Sequence, residues 1–200
     1  MDSHKLIVKL YSEGADALPL NAVVPVFHHW IQDQGMPEHL LIDVADYAHV
    51  PEGPGTVLVS HEANIHLDRE GGTPGLLYVR KQPVSGAVTF RERLAAVFRY
   101  AFQAAAKLEA DPALGGIRFR ANDIAFRIND RLLAPNTEAT YNAVRDDLQA
   151  FLAELYKSNV SMEHKHDPER LFEVRIKSTG KASVTDLLSR LESTAPAAAR

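Results

Sequence analysis

Residues 40–68, LLIDVADYAHVPEGPGTVLVSHEANIHLD, constrain the fold more than any other stretch. Two apolar runs flank a Pro/Gly turn. A short connection of that kind joins strands antiparallel, because a parallel return needs a crossover of about a dozen residues. The first run, residues 40–46, is nearly continuous apolar sequence and suits a strand covered on both faces. The second, residues 57–68, reads as one strand with alternating faces. One face carries Val57, Val59, His61, Ala63, Ile65 and Leu67, and the other Leu58, Ser60, Glu62, Asn64, His66 and Asp68.

The same stretch sets three of the nine histidines and five of the 26 carboxylates close together as potential acid–base or metal-binding side chains. Asp43 lies inside an apolar run, where an ionised carboxylate is costly without a partner. Asp46 ends that run. His61 falls on the apolar side of its strand, where a desolvated imidazole would be aimed into a pocket. Opposite it, Glu62, His66 and Asp68 form a polar ladder able to hold a divalent metal. The candidate catalytic residues are therefore Asp43, Asp46, His61 and Glu62. Tyr47 and His49 could orient a ligand, with the Gly53 and Gly55 amides facing an anion. A divalent metal, the one cofactor this set suggests, would take His61 and Asp46, with His29 from the preceding helix. Each residue also has a plainer reading. Asp46 can cap the turn, Asp43 can bond neighbouring backbone, His61 can be a packed core histidine, and His29 can pair with Asp33 one turn on. The spacings match neither a P-loop, nor G-x-G-x-x-G, nor H-E-x-x-H. No serine sits in a nucleophile elbow.

Elsewhere, residues 5–11 read as a strand with Leu6, Val8 and Leu10 on one face. Asn21 opens a helix with Pro25 in its first turn and Phe27, Trp30 and Ile31 as its stripe. Gly35 ends it. Residues 69–75 form a hairpin loop before a strand over 76–81. The clearest helix spans residues 89–109: Phe90, Leu94, Val97, Phe98, Ala101, Phe102, Ala105 and Leu108 recur at three and four behind a Thr89 cap. Residues 111–116 are the candidate boundary. Beyond them, residues 117–121 and 124–128 flank an Asn122-Asp123 turn signal. A helix runs over 134–157, and strands over 160–165 and 171–177 are joined across Asp167-Pro168-Glu169. Ser183 and Asp186 cap a helix over 184–192. Residues 194–200 form a low-complexity tail. The order is βαβββα over residues 1–114 and ββαββα over 115–193. That is an α+β fold, mainly antiparallel with helices on one side, its halves packed as one unit.

Composition narrows the function. The 200 residues contain no cysteine, which excludes disulfides, Cys-ligated zinc, iron–sulfur clusters and a Cys nucleophile. No apolar run reaches the ~20 residues of a membrane helix, and the N-terminus lacks a signal-peptide core. The expectation is a cytoplasmic protein that does not insert into membranes. A net charge of −4 argues against a nucleic-acid partner. Arg118, Arg120, Arg127, Lys165, Arg175 and Lys177 are interrupted by Glu163 and Glu173, and read as cross-strand charge pairing. Two functions compete. The first is a non-catalytic module that associates with itself or another protein through sheet edges. The alternative is a small-molecule or divalent-metal enzyme with an Asp/His/Glu site at 43–62. They differ in whether those side chains converge within about 4–6 Å.

Overall fold

A computed structural model describes residues 1–14, 18–50 and 53–194. Most of the tail expected from residue 194 therefore lies outside the described residues. The sheet is built from β1 (Leu6–Ser12), β2 (Leu41–Tyr47), β3 (Gly55–Ser60), β4 (Ala63–Asp68), β5 (Gly75–Arg80), β6 (Phe119–Ile128), β7 (Val160–His164) and β8 (Phe172–Ser178). These eight form one sheet in the order β2-β3-β4-β5-β1-β6-β8-β7, with every pairing antiparallel. The helices are α1 (Leu20–Gln32), α2 (Phe90–Ala110), α3 (Glu138–Tyr156) and α4 (Val184–Thr194). The expected α+β architecture is observed. The pairing of β1 with β6 carries one sheet through both halves of the sequence.

Alternation decides which face the helices cover. Leu6, Val8 and Leu10 of β1 belong to the core, as do Leu76 and Tyr78 of β5, Ile124, Phe126 and Ile128 of β6, and Phe172, Val174 and Ile176 of β8. The apolar stripe of α2 packs on them. Phe98 is the hub, with ring centroids 5.0 Å from Phe151, 6.1 Å from Phe102 and 6.3 Å from Phe126. That knot joins α2, α3 and β6, and edge and offset ring contacts of this kind add to area burial. The expected caps form. Thr89 and Glu92 make a capping box on α2. The Ser183 hydroxyl accepts from the Asp186 amide at 3.1 Å, while the Asp186 carboxylate accepts from the Ser183 amide at 2.9 Å.

Four expectations fail. Residues 40–46 are not covered on both faces, because β2 is the terminal strand, with Ile42, Asp43 and Asp46 exposed. Residues 57–68 are two strands, β3 and β4, that turn at His61 and Glu62. The turn carries no Gly, Pro or Asn. Ser60 closes it instead, its hydroxyl accepting from the Ala63 amide at 3.0 Å and donating to the Ala63 carbonyl at 2.6 Å. Asn122 and Asp123 are not a turn. They lie inside the ten-residue β6, which is flanked by β1 and β8. Pairing on both edges and a carboxylate bound by Arg175 outweigh the local turn preference. Pro25 lies past the first turn, because α1 starts at Leu20 behind Pro19.

Candidate functional site

The residues singled out at 43–62 do not converge. Asp43 and Asp46 are exposed on β2, their carboxylates accepting from the Val44 and Ala48 amides at 2.8 and 2.9 Å. His61 does not face the core; it is exposed on the β3–β4 turn. The Glu62 carboxylate accepts from the Leu40 amide at 2.7 Å. Burial works to raise the Glu62 carboxyl, but that amide bond leads the effects that hold it below the usual range. Tyr47 and His49 are exposed. Gly55 pairs with Tyr47 in the ladder, and Gly53 packs on Val50. His29 stands in solvent on α1, 3.0 Å from Asp33. Among the described residues, no group of three or more His, Asp or Glu is placed to hold a metal.

The structure gathers polar groups in two other places. At the middle of α2, Tyr100 donates to Glu38, and Arg99 lies 3.2 and 3.3 Å from the two carboxylate oxygens. This clamp holds Glu38 at φ 65°, a left-handed conformation unusual for a residue with a side chain. Next to it, His39 Nδ1 is 3.0 Å from the Pro37 carbonyl, and Nε2 is 2.8 Å from the Tyr78 hydroxyl. A carbonyl only accepts, so Nδ1 carries the proton, Nε2 accepts from Tyr78, and the Tyr78 oxygen takes the Arg80 N–H at 3.3 Å. Burial pushes Tyr100 up to about 12, helped by its bond to Glu38. His39, Tyr78 and Arg80 form a buried hydrogen-bonded chain beside the middle of α2, with the exposed Glu38 clamped at its rim.

Burial, and then the Arg80 charge, hold the His39 imidazole below its ordinary 6.5. His66 is lowered too, chiefly by burial. The unfolded chain therefore binds more protons than the folded one just below that pH. Stability should fall on acidification through this window, by up to about 1.4 kcal/mol per pH unit for each histidine. Urea unfolding from about pH 7.5 to about pH 5 should show this slope, and His39→Gln should remove about half of it. An unchanged slope in the variant would mean that His39 is not held neutral.

The second gathering is on the sheet face without helices. Lys9 is fully buried there and lies 2.8 Å from the buried Asp68. Arg127 bridges Glu70 at 2.7 Å to Glu173, directly opposite it on β8. The Arg175 guanidinium grips Asp123 at 2.5 and 2.6 Å and lies 3.7 Å from the Tyr11 ring centroid. The expected cross-strand pairing is thus present. A cleft of about 880 Å³ opens beside it, lined by charges of both signs. Sequence reading set Asp68 in a polar ladder and missed its partner Lys9. The one available signal was a lysine within the apolar run Leu6-Ile7-Val8-Lys9-Leu10-Tyr11. Nothing local marks His39, whose partner Tyr78 is 39 residues away.

The third feature is the β2 edge. Leu40, Ile42, Tyr47 and Val50 are 64, 56, 44 and 41% exposed along it. The register shift between Leu41 and Asp43 turns Ile42 outward. The His61 amide donates to the Leu40 carbonyl, which fixes the alternation beyond the bulge. Asp43, Ala45 and Tyr47 bond inward to β3, while Val44 and Asp46 direct backbone groups away from the sheet. No family model, no curated protein and no solved structure matches this chain. Among the described residues, no helix is long and apolar enough to cross a membrane.

Proposed function

We propose that this protein is a non-catalytic binding module that takes an extended segment of another protein along β2. One observation carries the reading. The seven-residue edge strand joins solvent-exposed apolar side chains to backbone groups that no strand of the sheet takes up. Such an edge supports strand addition, in which main-chain bonds give affinity and side chains give specificity. The opposite edge, β7, is shorter at five residues, and short edge strands discourage pairing. A second copy of this chain is the less favoured occupant. A second copy brings the same two aspartates on its own β2, so β2–β2 pairing would add like charge along the new ladder with no cation to offset it. Chemistry at residues 43–62 has less support, because its side chains do not converge.

Selection of a displayed random-peptide library tests the reading, run in parallel on wild type and Val44→Pro. Proline removes an outward N–H, which an edge strand tolerates. Peptides recovered by wild type should lose about tenfold or more in affinity for a Val44→Pro protein with an unchanged circular dichroism spectrum. Recovery of no peptide that distinguishes the two proteins would refute the proposal.

A further inference from the structure

We infer that the segment received by β2 is basic, with two Lys or Arg residues three positions apart. The inference rests on β2 being a docking strand and adds the partner's chemistry. Its first support is a long-range charge asymmetry. Between residues 10 and 68 the chain contains nine Asp and Glu and no Lys or Arg. All of α1, β2, β3 and β4 comes from this stretch. Cations from elsewhere neutralise Asp68 and Glu38, through Lys9 and Arg99. Among the described residues, no such cation pairs with Asp43 or Asp46. Lys81 reaches toward this end of the sheet, but its ammonium is bound to the Ser60 carbonyl.

The second support is how Asp43 is used. Its carboxylate holds the Val44 N–H, an outward-facing donor that an added strand would need. An incoming carbonyl must displace that carboxylate. A neutral strand leaves the displaced charge without a partner, whereas a strand with a cation opposite Asp43 re-pairs it. Asp43 therefore guards the edge against neutral and acidic strands and admits basic ones, so discrimination comes from repulsion as well as attraction.

The spacing follows from the pleat. Asp43 and Asp46 are three residues apart and lie on opposite faces of the sheet. Residues of an added strand opposite them are also three apart, in either strand direction. Between them, Val44 and Ala45 favour small or β-branched apolar side chains in the partner.

Fluorescence anisotropy with three labelled octapeptides tests this. The parent probe is Thr-Thr-Lys-Val-Val-Lys-Thr-Thr; the other two replace both lysines by serine or by glutamate. Wild type should bind the lysine peptide about five- to tenfold more tightly than the serine peptide, the range two exposed ion pairs supply. The glutamate peptide should bind most weakly of the three. Asp43→Asn with Asp46→Asn should erase the lysine preference and keep or strengthen serine-peptide binding. Raising the salt should narrow the lysine preference in wild type and leave the double variant unaffected. Equal binding of lysine and serine peptides by wild type, lost in Val44→Pro, would overturn the charge assignment and leave β2 as the docking strand. Binding of none of the three, or binding indifferent to Val44→Pro, would overturn the docking strand itself.

Discussion

Replacing Lys9 by methionine should destabilise the fold by about 3–5 kcal/mol, the range found when one member of a buried ion pair is removed. Methionine keeps most of the stem's volume, so the loss reports the charge rather than a cavity. Lys9 and Asp68 have side-chain exposures of 0 and 3%, and their charged atoms are 2.8 Å apart. Asp68 is already held above the usual carboxylate range by burial, which Lys9 opposes. Without Lys9 the Asp68 carboxyl would rise further and take up a proton. A carboxyl raised in the folded state favours folding at low pH, and that contribution is lost as pH rises through its folded value. The deficit of Lys9→Met should therefore be largest at neutral pH and shrink on acidification. Lys9→Met with Asp68→Asn should recover at least about half of the loss, since removing both members of a buried pair is far less costly than removing one. Urea midpoints at an unchanged m-value measure each step. A loss below about 1 kcal/mol for Lys9→Met at neutral pH would show that the pair is effectively solvated.

The fold class was legible because local patterns agreed with it. The 89–109 stripe, its Thr89 cap and the Ser183–Asp186 box all form where their spacing puts them. What failed was local turn chemistry. The turn at His61 and Glu62 was invisible because Ser60, one residue before it, closes it through a side chain. The false turn at Asn122 and Asp123 was visible because local preference takes no account of strands that arrive from residues 6–12 and 172–178. The sequence misled about His61 for the first of these reasons: once the chain turns there, the side chain leaves the core. The sheet-edge reading needed strand order, which no single stretch encodes. Only the assembled order makes β2 terminal and leaves Val44 and Asp46 facing outward.

Gly55→Ala should be the most damaging single methyl added to this chain, at about 2–5 kcal/mol. About 1–2 kcal/mol of that comes from forcing a side chain into a left-handed backbone, and about 1–3 from overpacking. Gly55 has φ +67°, and a Cβ there would lie 1.8 Å from the Leu67 carbonyl oxygen. That oxygen belongs to β4, whose Leu67 is in register with Thr56 of β3. It cannot retreat without opening the ladder between the two strands. Gly71 supplies the control. It has φ +61°, but an added Cβ meets nothing within 4 Å. Gly71→Ala should therefore carry only the conformational part, about 1–2 kcal/mol. The difference between the two variants isolates the overlap with the Leu67 carbonyl. Had Gly55 been needed only for an amide facing an anion, Gly55→Ala would melt no lower than Gly71→Ala. Thermal unfolding of both variants beside wild type makes the comparison. A Gly55→Ala midpoint equal to that of Gly71→Ala would mean that the β3–β4 ladder yields at this point.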